Sequence, residues 1–80
     1  MIDATVRAEH ARRLLDDELL TEILDGIEAA AISAWAATAM NAVEHRELAY
    51  HSLKASRRVR DTLKGVVDNG LVAASRAIRP

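Results

Sequence analysis

Leu19-Leu20-Thr21-Glu22-Ile23-Leu24-Asp25-Gly26-Ile27-Glu28-Ala29-Ala30-Ala31 carries the period that decides the fold. Leu20, Ile23, Leu24, Ile27, Ala30 and Ala31 recur at spacings of three and four, and Ala34 and Ala37 extend the row. An α-helix turns once in 3.6 residues, so these positions share one face. The acids line the opposite side, and Asp17, Glu18 and Glu22 also suit the positive end of the helix dipole. The spacing predicts a helix over about 17–39. Gly26, Ala30, Ala34 and Ala37 make part of its apolar face shallow, which lets another helix come close.

Beyond it, Met40-Asn41-Ala42-Val43 reads as a turn, although it has neither Gly nor Pro. A second long helix is expected over 44–67, with Leu48, Ala49, Leu53, Val59, Leu63, Val66 and Val67 on one face beside Ser52 and Ser56. Arg46, Tyr50, Lys54, Arg57, Asp61 and Lys64 form its other face. Asp68-Asn69-Gly70 reads as a stop, because glycine readily takes the left-handed conformation that ends helices. A short last helix is expected over 71–79. On the N-terminal side, Asp3 or Thr5 can cap a short helix within 1–15, and the Asp16-Asp17 pair offers the cap of the next. One continuous helix is the alternative there, since Glu18 does not break it; a kink or short break is the reading adopted. The expectation is one all-α domain over 1–80, a helical hairpin of two long antiparallel amphipathic helices with short flanking helices.

Composition says what such a hairpin lacks. Half of the 80 residues are hydrophobic, yet 16 are alanine and only Trp35 and Tyr50 are aromatic. Alanine favours helix but buries little surface. A chain this small usually needs a disulfide, a metal or a partner to hold its fold, and it has no cysteine. A partner or self-association is the expected remedy. Charge is divided: residues 1–40 hold three arginines against eight acids, and residues 41–80 hold eight bases against four acids. Opposite signs can pair within the hairpin or between copies. Met1-Ile2-Asp3-Ala4-Thr5 does not read as a signal peptide. The longest uncharged stretch, 29–43, is shorter than the roughly 20 apolar residues of a membrane span. A soluble protein made in a cytoplasm, without membrane contact, is expected.

Chemistry-bearing patterns are sparse. His10, His45 and His51 share no metal-ligand spacing, and Asp16-Asp17-Glu18 lacks the alternation and central glycine of a calcium loop. Ser33, Ser52, Ser56 and Ser75 have no nucleophile context, and no Gly-rich phosphate loop is present. No catalytic residue, cofactor or metal is therefore expected. Trp35 lies off the apolar row towards Ile32 and Ala39, which suggests a second contact surface, since aromatic anchors dominate interface energetics. Packing of Trp35 on the first or last helix of its own chain is the alternative. Arg60 sits at the edge of the other apolar row, a candidate buried or interfacial ion-pair residue for an acid of the acidic helix. Lys54, Arg57, Arg58 and Lys64 could meet nucleic-acid phosphates. A solvated face or an ion-pair partner is the more common use of such a patch.

Several segments carry a resemblance. They are Leu14-Leu15-Asp16-Asp17-Glu18-Leu19-Leu20 with Glu22 and Ile27-Glu28, then Ala34-Trp35-Ala36-Ala37-Thr38. Arg46-Glu47-Leu48-Ala49-Tyr50 follows, with Val59-Arg60-Asp61-Thr62-Leu63 and Gly70. Over residues 10–70 the chain resembles a family of small all-helical proteins encoded in structural and packaging modules of tailed bacteriophages and prophages. The family pattern has a helix-starting proline near Glu18 and a proline or aspartate in the central turn; this chain has neither. The resemblance implies a non-enzymatic part in virion assembly or DNA packaging, in the virion or the bacterial host cytoplasm. The leading expectation is a homo-oligomer or a chain that docks on a larger phage structural protein through Ile32, Trp35, Ala39 and Arg60. A nucleic-acid-binding accessory of packaging, acting through Lys54, Arg57, Arg58 and Lys64, is the runner-up. An adaptor or inhibitor of a host protein is the third class.

Overall fold

Aspartates set the first two helix starts. The Asp3 carboxylate accepts from the backbone N–H groups of Thr5 at 2.9 Å and Val6 at 3.0 Å, and from the Thr5 hydroxyl at 2.6 Å. These satisfy two of the donors that an α-helix leaves open at its N-terminus. Helix α1 follows over Ala4–Asp16. Asp17 is extended, at φ −70° and ψ 121°, and serves both neighbours. Its N–H donates to the Leu14 carbonyl at 3.2 Å, while its side chain accepts from the Leu20 N–H at 2.8 Å. One non-helical residue thus divides α1 from α2, Glu18–Ala36. The computed structural model describes residues 3–78; the start of the chain at Met1-Ile2 and the expected end of the last helix at Arg79, before Pro80, lie outside these residues.

The chain then crosses 37–42 into α3, Val43–Ile78. This connection has no glycine, and side chains hold it instead. The Thr38 hydroxyl donates to the Trp35 carbonyl at 2.7 Å, and the Arg46 guanidinium donates to the carbonyls of Met40 at 2.8 Å and Ala39 at 3.3 Å. The acidic helix ends three residues before the expected limit, and the turn begins correspondingly early.

The expected stop at Asp68-Asn69-Gly70 is not made: α3 runs through it for 36 residues, and no separate helix covers 71–78. No described glycine has positive φ. Gly70 is buried because α1 crosses it; a Cβ there would run into the Ala8 Cβ and stand 2.9 Å from the Ala4 carbonyl oxygen. The residue type that can end a helix here serves close helix packing.

Contacts between the arms run in opposite order. Ala8 meets Gly70, Leu24 meets Ser56, and Ala31 lies by Ala49. Helices α1 and α2 therefore follow one another along α3 and run against it. The result is all-helical and long, 61 × 23 × 19 Å, with a radius of gyration of 17.3 Å. A compact chain of this length would have a radius near 12 Å.

The expected core is only partly closed. Leu24, Ala31, Ala49 and Ser56 are buried between α2 and α3, and Ala8, Ala11 and Gly70 between α1 and α3. Leu24 is the one large side chain of that set, and no side chain is buried below 2 % exposure among the described residues. Ile23, Ile27, Leu48 and Val59, expected as core, are exposed. The reason is geometric. The α2 apolar row is wider than one neighbouring helix can cover, and only α3 lies against it.

Candidate protein-interaction surface

Two apolar troughs flank the α2/α3 contact, on opposite sides of the Ala31–Ala49 contact that both share. On one side, Ile32 and Trp35 of α2 face Tyr50 and Leu53 of α3 across a groove of about 340 Å³. Trp35 is 56 % exposed and lies beside the first turns of α3, with Val43, Arg46, Glu47 and Tyr50 around it. The structure thus brings Trp35 neither to α1 nor to the C-terminal end of α3. Ala39 is exposed in the connection, where its carbonyl accepts from Arg46 and the Ala42 N–H.

Arg60 lies further along this side. Its guanidinium donates to Asp25 at 2.5 Å, and its Nε stands 3.7 Å from a Glu28 carboxylate oxygen. That Nε is buried without a hydrogen-bond partner. Arg60 therefore ties α3 to the acidic helix inside one chain. Half-exposed pairs of this kind gain modestly, because water screens them. Ser56 adds a second tie from the same helix. Its hydroxyl, buried on the apolar row, donates 3.2 Å to the Leu24 carbonyl. The sequence signal for it was a serine among apolar positions; for Arg46 it was an arginine one helical turn past the connection.

The other trough is larger, about 710 Å³. Ala30 and Ala34 of α2, with Ala37 just past its end, form one wall, and Leu48, Ala49 and Ser52 of α3 form the other. None of its lining side chains is Asp, Glu, Lys or Arg. Helical spacing continues the α2 wall through Ile27 to Ile23 and Leu19, all exposed.

The basic residues point elsewhere. Lys54, Arg57, Arg58 and Lys64 are exposed, and none forms an ion pair among the described residues. The Lys54 ammonium stands 5.5 Å from the Tyr50 ring centre, a cation–π distance. Among the described residues no three His, Cys, Asp or Glu side chains converge as metal ligands. No described helix is long and apolar enough to cross a membrane.

Comparison with protein-family models, with curated proteins and with solved structures finds no match. The resemblance to the phage family rests on the quoted segments alone.

Proposed function

We propose that this chain is a non-enzymatic helical assembly protein whose apolar surface is completed by contact with other protein chains. One observation carries the reading. The chain exposes 6380 Å², whereas a compact monomer of 8.7 kDa exposes about 4,700 Å². Large apolar side chains, among them Leu19, Ile23, Leu48 and Trp35, stand on that exposed surface. Exposed apolar surface on this scale marks interaction sites. The resemblance supplies the setting: a structural or assembly component of a tailed phage, acting in the virion or the host cytoplasm, paired with itself or docked on a larger phage protein. Ile32, Trp35 and Tyr50 supply an aromatic anchor for such docking, with Ala39 beside them on the connection.

The test is absolute mass by light scattering from micromolar to millimolar concentration, alongside co-expression with the products of neighbouring genes. A defined oligomer or a captured partner is expected. A helical monomer at every concentration that captures no neighbour product overturns the reading.

The unpaired basic side chains support a second reading, an accessory that binds nucleic acid during packaging. Binding through Lys54, Arg57, Arg58 and Lys64 would weaken steeply with salt as counterions are released. Unchanged DNA affinity in Arg57→Ala/Arg58→Ala removes it.

A further inference from the structure

We infer that the occupant of the larger α2/α3 trough is a second copy of this chain, laid antiparallel across it about a two-fold axis. The inference rests on the assembly reading and names its partner.

The trough selects an apolar visitor. Apart from His45 its walls carry no ionisable side chain, so it offers little charge to recognise a charged peptide or nucleic acid. What it does offer is a gradient of size. Along the α2 wall, Leu19, Ile23 and Ile27 stand at the N-terminal end, and Ala30 and Ala34, continued by Ala37 just past the helix, at the C-terminal end. A two-fold axis perpendicular to the helices, passing near Ile27, reverses one copy against the other. Each bulky end then lies over the partner's small end, and ridges enter grooves on both sides of the axis. On α3 the same operation sets Leu48 over Val59 and Ser52 near Ala55, at matching distances from the centre. A surface that fits its own reverse is what an isologous dimer requires.

Area supports the same occupant. The surplus over a compact monomer is roughly 1,600 Å² per chain, against about 800 Å² per partner in a stable interface of standard size. The surplus is that of the whole chain, so it has room for one such interface on this face while the Trp35 side stays free. Four helices packed in two layers also give Ile23, Ile27 and Leu48 the burial that the single chain denies them.

Light scattering and cross-linking test it together. The wild-type chain is expected at twice its chain mass. Ala34→Glu and Leu48→Glu, each at a site exposed in the single chain, are expected to halve that mass while helical circular dichroism is kept. Trp35→Ala is expected to leave the mass unchanged. The chain has no cysteine, so single cysteines report the axis. Ile27→Cys is expected to link two copies quickly on oxidation, and Leu19→Cys is not. A dimer insensitive to Ala34→Glu but lost in Trp35→Ala moves self-pairing to the other face and overturns this inference while the assembly reading stands. Equal linking at both cysteines overturns the antiparallel order, and no linking at Ile27→Cys overturns the pairing of α2 on α2. A wild-type monomer overturns self-pairing, and capture of neighbour products then decides the assembly reading alone.

Discussion

The two halves of α3 are packed by the same kind of residue to opposite effect. Towards the C-terminus, Gly70 admits α1 until Ala8 and the Ala4 carbonyl fill the place a side chain would take. Towards the N-terminus, Ala31 and Ala49 are buried against the opposing helix, but Ala30, Ala34 and Ala37 look into an open trough. Small side chains close an interface when the backbones meet. Where they stand beside the contact line, they leave a hollow with bulky neighbours on its rim. An alanine-rich helix is not by that fact a well-packed one.

Substitutions can break this contrast from either side, and Gly70→Leu should do most. No flexible neighbour can yield, because the obstacles are the Ala8 Cβ and a backbone oxygen. A loss of about 3 kcal/mol is expected in thermal or urea unfolding, as for an overpacked core site. Leu24→Ala attacks the open half. It deletes the one large side chain buried between α2 and α3, at a site whose neighbours Ile23 and Ile27 are exposed and cover it thinly. A loss of about 2 kcal/mol is expected, at the low end for such truncations; a loss equal to that of Gly70→Leu would mean the open half is closed in solution.

Ser56→Ala is gentler. It removes one buried hydrogen bond to a carbonyl within the α2 helix, and about 1 kcal/mol should follow. Gly26→Ala sharpens the comparison by its sign. A Cβ at Gly26 meets nothing within 4 Å, so helix propensity alone acts and a gain of up to about 1 kcal/mol is expected. The same replacement at Gly70 must lose. If both lost stability, Gly26 would have a neighbour in solution that the single chain does not show.

The smallest effect is at the start of α1. The Thr5 hydroxyl, then the backbone N–H groups of Val6 and Thr5, hold the Asp3 carboxyl below the ordinary 3.8. A lowered folded value means the cap contributes fully above 3.8 and is lost as pH falls through that lower value. Carbonyl titration by NMR should place the Asp3 midpoint under 3.8, and Thr5 and Val6 amides should exchange faster once it is passed. Asp3→Asn should keep the cap and abolish the pH dependence.

Much of this was legible along the chain. The helical class follows from apolar spacing, and the capping aspartates act on N–H groups two and three residues away, within sight of local reading. Gly70 was not legible in the same way. Its type fits both a helix stop and a close helix crossing, and only the approach of α1, more than sixty residues away in sequence, selects the crossing. Arg60 stood at the edge of an apolar row, which marks a charge that needs a partner. That Asp25 and Glu28 of its own chain supply it depends on the register between α2 and α3. Ser56 and Arg46 hydrogen-bond to carbonyls that no local pattern identifies.

Residue order alone dictates that the chain is helical, where its acids and bases lie, and that its apolar rows need a cover. Those properties follow from 3.6-residue periodicity and from contacts within a few residues. Tertiary structure decided that α3 continues through Gly70, that α1 and α2 share its length, and that one flank of each apolar row stays open. A row's width is written in the sequence, but how much of it a neighbouring helix covers depends on where the backbones cross.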